Sequence, residues 1–196
     1  LMVLLGSNEE EDLTYITLCV GAGVLDEKPK HVGLANVVAS TLLASRMERA
    51  SKENKQLSEL QSEVQVNVYQ ETSCFSAVLP DEKLMPVLLD RFADMMIDPK
   101  FEKDVLQQRL EDDFTFEPSI KDIESIAVLS EDVNLDHPLH YTARVKSRFD
   151  SQKFKGTLEE LQQAATAFFK DNYVPNDMSL VIAGPLTLDE FQGLAT

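Results

Sequence analysis

The residues whose types and spacing come nearest to a chemical site are Asn36 and Ser40, four positions apart in an apolar stretch. Residues at this spacing lie together on one face of a helix, beside a buried stripe made by Leu34, Val38 and Leu42. Two histidines four apart, with a carboxylate between them, would hold zinc and activate its water. Here an amide, the methyl group of Ala39 and a hydroxyl stand at these positions. The stretch therefore has the residue spacing of a metal-binding helix but lacks the side chains that bind metal.

Two hairpins are predicted around the helix that carries these positions, which spans 33–50. The first is an antiparallel hairpin of strands at 2–6 and 13–22, separated by an acidic turn. The second pairs strands at 64–69 and 72–79, where apolar residues again alternate. The helix at 33–50 would lie between the two hairpins in the chain.

The rest of the chain is predicted to be mostly helical. From Asp81 the apolar residues change to helical spacing, which indicates a helix, and a capping box at 157–160 opens another. Further helices are expected at 56–60, at 102–113, at 118–129 and beginning at 187–196, and a buried strand ends at Gly184. This order indicates an α+β fold, a mostly antiparallel sheet backed by helices, in one domain over residues 1–196. Because the chain does not begin with Met, we expect it to be a piece of a longer protein.

The charge of the chain excludes some functions. Eighteen Lys and Arg residues against 34 Asp and Glu residues give a net charge of −16. Nucleic acid and anionic membranes are therefore not expected partners, because binding them requires a basic surface. The acidity has two interpretations, solubility or attraction of basic peptides. No apolar run approaches the ~18 residues of a membrane span, and the compartment is not predicted.

Cys19 and Cys74 are the only cysteines, and each lies in a predicted strand. We expect them to be reduced, buried thiols. The alternative is a disulfide that joins the two strands. Neither interpretation names a function.

The stretch from Gly33 to Ser40 resembles the signature G-L-x-H-x-x-E-H of the insulinase/pitrilysin family of zinc peptidases, the inverzincins. Gly33 and Leu34 match it. Asn36 and Ser40 stand at the two ligand histidines, and Ala39 stands at the catalytic glutamate. Other stretches that resemble the family are Leu89 to Ala93, Asp98 to Phe101 and Tyr173 to Gly184. The resemblance covers nearly the whole chain and implies the metallopeptidase-like fold of this family.

The resemblance also implies the place of a third zinc ligand. In the family the helix equivalent to 102–113 presents a glutamate, and counting without gaps puts that position at Phe116. Glu117 is one residue away, and Glu111 and Asp112 lie about a turn earlier, so a change of register could restore a carboxylate. The four degenerate positions of the site are thus Asn36, Ala39, Ser40 and Phe116.

Further candidate residues are one asparagine and three histidines. Asn67 falls close to the place of a family asparagine on a strand that lines the substrate cleft, which implies a role in substrate binding. His31, His137 and His140 have side chains suited to metal, but Pro138 separates the last two and they have no partner at helical spacing. They are not predicted as ligands.

The replacement of the four catalytic groups by Asn36, Ala39, Ser40 and Phe116 indicates a domain without a catalytic centre. It would bind no zinc, the cofactor of intact family members, and would act as a non-catalytic peptide-binding or chamber-forming domain. The alternatives are a supporting domain of an active zinc metalloendopeptidase whose catalytic domain lies elsewhere, or a scaffold subunit of a larger assembly. A metal enzyme that uses Asn36, Ser40 and His137 ranks last. The expected partners are a peptide or protein, and further homologous domains or a partner subunit.

Overall fold

The structure is a computed structural model that describes residues 1–53, 64–111 and 156–194. Its strands are β1 (Met2–Ser7), β2 (Thr14–Val20), β3 (Gln65–Val68), β4 (Ser73–Leu79) and β5 (Met178–Gly184). Its helices are α1 (Leu34–Glu53), α2 (Met85–Ile97), α3 (Lys103–Glu111), α4 (Leu158–Asn172) and α5 (Leu188–Leu194). The predicted α+β class is confirmed. The helices predicted at 56–60 and 118–129 lie outside the described residues.

The strands form a five-stranded sheet in the order β1-β5-β2-β4-β3. β1 runs parallel to β5, and the other three neighbouring pairs are antiparallel. The sheet is therefore mostly antiparallel, as predicted, and β3 and β4 form the predicted hairpin.

The prediction that the first two strands form a hairpin is wrong. β5 lies between β1 and β2, so these strands run in opposite directions but are not neighbours. Their separation is two strand spacings, about 10 Å, which the connection at 8–13 can span. The Asn8 N–H donates to the Gly184 carbonyl oxygen at 2.8 Å, which ties this connection to the end of β5.

One face of the sheet, the core face, packs against the helices. Every second residue of β2, β4 and β5 is buried, as expected for strands with one covered face. Phe75 of β4 meets Phe92 of α2 with ring centroids 6.4 Å apart. The predicted capping box of α4 is confirmed, because the Thr157 hydroxyl accepts from the Glu160 N–H and the Glu160 carboxylate accepts from the Thr157 N–H. The helices are thus set on the sheet by apolar packing and local caps.

The expectation of reduced cysteines is also wrong. Cys19 and Cys74 are directly opposite each other on β2 and β4 and form a disulfide, with their Cα atoms 4.1 Å apart. Their side chains lie on the face of the sheet away from the core, which we call the outer face. Strand pattern shows which face a cysteine occupies, but only the pairing register shows which residue stands opposite. The disulfide interpretation is therefore the correct one.

None of the helices in the described part of the chain has the length and apolarity required to cross a membrane.

Candidate functional site

The turn before α1 is held by a buried carboxylate. Glu27 is only 2% exposed. Its Oε2 accepts a hydrogen bond from the Gly33 N–H at 2.7 Å, and its Oε1 accepts one from the Ala35 N–H at 2.9 Å. A helix leaves its first N–H groups without partners inside the helix, and a negative charge is favourable there. Glu27 therefore caps α1 and fixes where the helix begins.

Gly33 matches the first position of the signature and has a conformational role here. Its φ is 93°, in the left-handed region that glycine adopts without steric cost. The chain uses this residue to turn from the short 3-10 turn Pro29–His31 into α1. His31 is half-buried in that turn. Gly33 thus allows the backbone to adopt the left-handed conformation that precedes α1.

The three signature positions on α1 offer little to a ligand. Asn36 is half-buried, and the Ala39 methyl group is fully buried in the core. Ser40 is 6% exposed, and its hydroxyl oxygen lies 2.7 Å from the carbonyl oxygen of Asn36 and 3.2 Å from that of Val37. The hydroxyl is therefore hydrogen-bonded within its own helix, as is common for serine in helices.

These residues do not fit zinc. Structural and catalytic zinc sites use imidazole nitrogen, thiolate sulfur or carboxylate oxygen, and the signature positions supply none of these. Within 1–53, 64–111 and 156–194, no group of three or more His, Cys, Asp or Glu residues could hold a metal ion. Glu27 is the buried carboxylate at the start of α1, and both of its oxygens already accept backbone N–H groups.

Asn67 lies exposed on β3, the strand at one edge of the sheet, and α1 packs against that strand. Val68, its neighbour, is buried in the core, so the Asn67 side chain points to the outer face. There it stands opposite Cys74, in one cross-strand row with Cys19 and Ser179. The structure thus packs α1 against β3, the strand of Asn67. The Asn67 side chain, however, points to the outer face of the sheet, away from the core in which α1 is packed.

The pairing register shows which backbone groups of β3 face outward. The short Cα separation of 4.1 Å between Cys19 and Cys74 is typical of a non-hydrogen-bonded pair, so the Cys74 N–H and C=O point toward β3. Asn67 then forms the hydrogen-bonded pair with Cys74. Because backbone groups alternate along a strand, those of Val66 and Val68 point to the free edge. Among the described strands, none pairs with that edge.

Several predicted residues cannot be located in this site. Phe116, Glu117, Asp112, His137 and His140 lie outside the described residues. Their roles remain predictions, and α3 is described only as far as Glu111.

Glu27 is the residue of this site that sequence reasoning missed, and its role is to cap α1. It stands six residues before Gly33 and outside the usual N-cap pattern of Ser, Thr, Asp or Asn next to the helix. The signal that could have found it is the acidic pair at 26–27 just before a helix with no capping residue of its own.

A comparison of the sequence with protein-family profiles identifies the family of this chain. The profile of the insulinase family (peptidase family M16) matches residues 2–136, and the chain belongs to this family. Among curated protein sequences, none matches the chain.

Solved structures share the fold. Pitrilysin aligns with 98% of this chain at 19% identity and a TM-score of 0.74. The periplasmic protease PqqL from Escherichia coli aligns with 98% at 16% identity and a TM-score of 0.70, and its first half gives a TM-score of 0.66 at 16% identity. The chain spans 21% of the pitrilysin chain, 22% of the PqqL chain and 42% of the PqqL first half. These similarities establish a pitrilysin-like fold.

Proposed function

We propose that this chain is one non-catalytic domain of a longer insulinase-family protein, and that it binds an extended peptide. The observation that carries the proposal is the state of the signature helix. A hydroxyl bonded to its own backbone and a buried methyl group cannot bind zinc or act as a base. Loss of both histidine positions removes most of the affinity expected for zinc.

Peptide binding is assigned to the outer edge of β3. An edge strand offers unpaired N–H and C=O groups on which an extended peptide forms hydrogen bonds, and this mode is known as β-augmentation. The groups of Val66 and Val68 face this way, and the exposed Asn67 side chain is beside them for contact with the peptide. α1, the helix that carries the degenerate positions, packs against β3.

A second candidate is a supporting domain in the chamber wall of an active zinc metalloendopeptidase. It is favoured by one fact, namely that the chain spans only about a fifth of pitrilysin and of PqqL. In this case another domain of the same protein would carry the zinc ligands. A scaffold subunit in a larger assembly would instead copurify with a stable partner.

The first test measures zinc and peptidase activity together. The purified chain is dialysed against zinc, its metal content is measured by elemental mass spectrometry, and cleavage of a mixed peptide library is followed. We expect neither bound zinc in stoichiometric amount nor cleavage. About one zinc per chain with cleavage that a chelator abolishes would contradict the proposal.

The second test addresses the peptide edge. Val66→Pro removes one outward N–H while the bonds of β3 to β4 stay in place, since proline is tolerated at sheet edges. Its matched control, Val66→Ala, shortens the same side chain and keeps the N–H. Binding of fluorescent peptides with strand-forming sequences is measured by anisotropy. We expect Val66→Pro to abolish binding that Val66→Ala retains, and equal binding by both would reject this edge.

A further inference from the structure

Helix α2 is apolar on two faces. One face is buried in the core through Met85, Leu88, Phe92 and Met95. The second face recurs at three- and four-residue spacing and is half-buried or exposed; its members are Pro86, Leu89, Ala93, Met96 and Ile97. Ile97 alone is 81% exposed. A soluble helix usually presents polar residues on the face away from its core. The second apolar face of α2 therefore indicates an interaction surface.

This face forms one wall of a groove. The other wall comes from the core face of the sheet, through Leu18 of β2, Met178 and Leu180 of β5, and Pro175 in the turn before β5. The enclosed volume is about 490 Å³. Asp90 is the one charged residue among the groove's described lining. The volume lies within the range of ~300–1,000 Å³ typical of binding pockets. The groove is separate from the peptide edge of β3, because β4 lies between β3 and the groove-lining strands β2 and β5.

The length of the α2 wall of the groove matches a helix of about three turns. The second face of α2 runs from Pro86 to Ile97, a length of about 16 Å at the ~1.5 Å rise of a helix. A partner helix of three turns could lie along it and insert one apolar stripe. Recognition of this kind uses anchors at i, i+3, i+4 and i+7.

The charge around the groove favours a basic occupant. Asp90 projects from α2 into the groove, and Asp177 is exposed in the turn that begins with Pro175. Neither carboxylate pairs with a cation in the described part of the chain. Arg91, the cation of α2, is already paired with Asp94 at 3.1 Å. A second copy of the chain is disfavoured, because both copies would carry a net charge of −16.

We propose that the groove between α2 and β5 docks an amphipathic helix of a partner protein whose polar flank carries lysine or arginine. The apolar stripe enters between Leu89 and Leu180, and a basic side chain reaches Asp90. This surface does not include the degenerate zinc positions of α1 or the peptide edge of β3.

The test uses the 196-residue chain and three fluorescent peptides of about 15 residues, four turns of helix. One has leucines at helical spacing and lysines elsewhere, a second has glutamates in place of the lysines, and a third has the first composition in an order that breaks the stripe. Fluorescence anisotropy is measured at low and at high salt. We expect the first peptide to bind at least about tenfold more tightly than the other two and to weaken with salt.

Two pairs of variants localise the binding. Ala93→Glu places a charge in the groove and should weaken binding about tenfold or more, while Ala167→Glu, at an exposed position of α4, should leave it unchanged. Asp90→Asn should reduce the salt dependence, while Asp171→Asn should not. Circular dichroism confirms that each variant is folded.

Three outcomes would overturn the proposal. Equal affinity for the basic and acidic peptides would show that the groove does not select a basic partner. Unchanged binding by a folded Ala93→Glu variant would place the peptide elsewhere. A dimer in sedimentation experiments that Ala93→Glu dissociates would assign the groove to a second copy. Since Val66→Pro leaves the groove intact, loss of edge binding in that variant with groove binding retained distinguishes this proposal from the proposed function.

Discussion

The Ser40 hydroxyl hydrogen-bonds to the carbonyl oxygen of Asn36, one helical turn earlier, at 2.7 Å. The two positions predicted to correspond to the ligand histidines of the family are thus joined to each other through a side chain and the backbone of α1. Thr41, the next residue, differs, because its buried Oγ1 has no hydrogen-bond partner among the described residues. Of these two adjacent hydroxyls of α1, one is hydrogen-bonded and the other is not. Substitutions at the two positions can therefore be compared directly.

Thr41→Val should stabilise the protein by about 1 kcal/mol, because it replaces an unsatisfied buried hydroxyl with a methyl group of the same shape. Ser40→Ala should change the free energy of unfolding by less than about 0.5 kcal/mol, since the lost bond is local and alanine favours helix. Urea denaturation measures both. Destabilisation by Thr41→Val would mean that its hydroxyl has a partner.

Glu27→Ala should destabilise the protein by about 2 kcal/mol, because the Gly33 and Ala35 N–H groups lose their acceptor in a buried place. Glu27→Gln should cost about half as much, since one amide oxygen can still accept. Glu71→Ala, at an exposed position, is the control and should have little effect. If Glu27→Ala behaves like Glu71→Ala in urea denaturation, the carboxylate does not anchor α1.

Removing the disulfide should reduce stability substantially. The bond joins residues 55 apart in sequence, and the chain-entropy estimate for a loop of that length is about 4 kcal/mol. The Cys19→Ala/Cys74→Ala double variant is compared with the oxidised protein in urea. A dithiol reductant should lower the midpoint of the parent protein and leave that of the double variant unchanged. Two reactive thiols in the unfolded, unreduced protein would show that the bond does not form.

The ion pair between Lys103 and Glu159 predicts a pH effect. The hydrogen bond from Lys103 lowers the pKa of the exposed Glu159 carboxyl, so its contribution favours folding above the ordinary glutamate pKa. That contribution is lost as pH falls through the lowered value. Because both groups are exposed, the effect is small and screened by salt. The carboxyl titration followed by NMR in parent and Lys103→Met proteins should show a higher Glu159 pKa in the variant.

Sequence reasoning succeeded where the signal is local. The alternation of Val64, Val66 and Val68 predicts the β3–β4 hairpin, and Thr157 with Glu160 predicts the start of α4. The signature itself located the beginning of α1 to within one residue.

Where the signal is not local, the sequence was insufficient. Period-two alternation shows which side of a strand faces the core, but not which strand lies beside it, so β5 was not placed between β1 and β2. The same limit left the pairing of Cys19 with Cys74 open, because it depends on the register of strands about 50 residues apart. Glu27 was missed because its carboxylate accepts from N–H groups six and eight residues further along the chain.

The position of β5 has a consequence for synthesis of the protein in the cell. β1 pairs only with β5 among the described strands, and its partners are some 177 positions later in the chain, as in Met2 and Ser179. At ~5–20 residues per second, a ribosome needs roughly 10–35 s to supply them. During that interval the apolar strand β1 is without β5, its neighbour in the sheet. We therefore expect the nascent chain to depend on chaperones until β5 emerges.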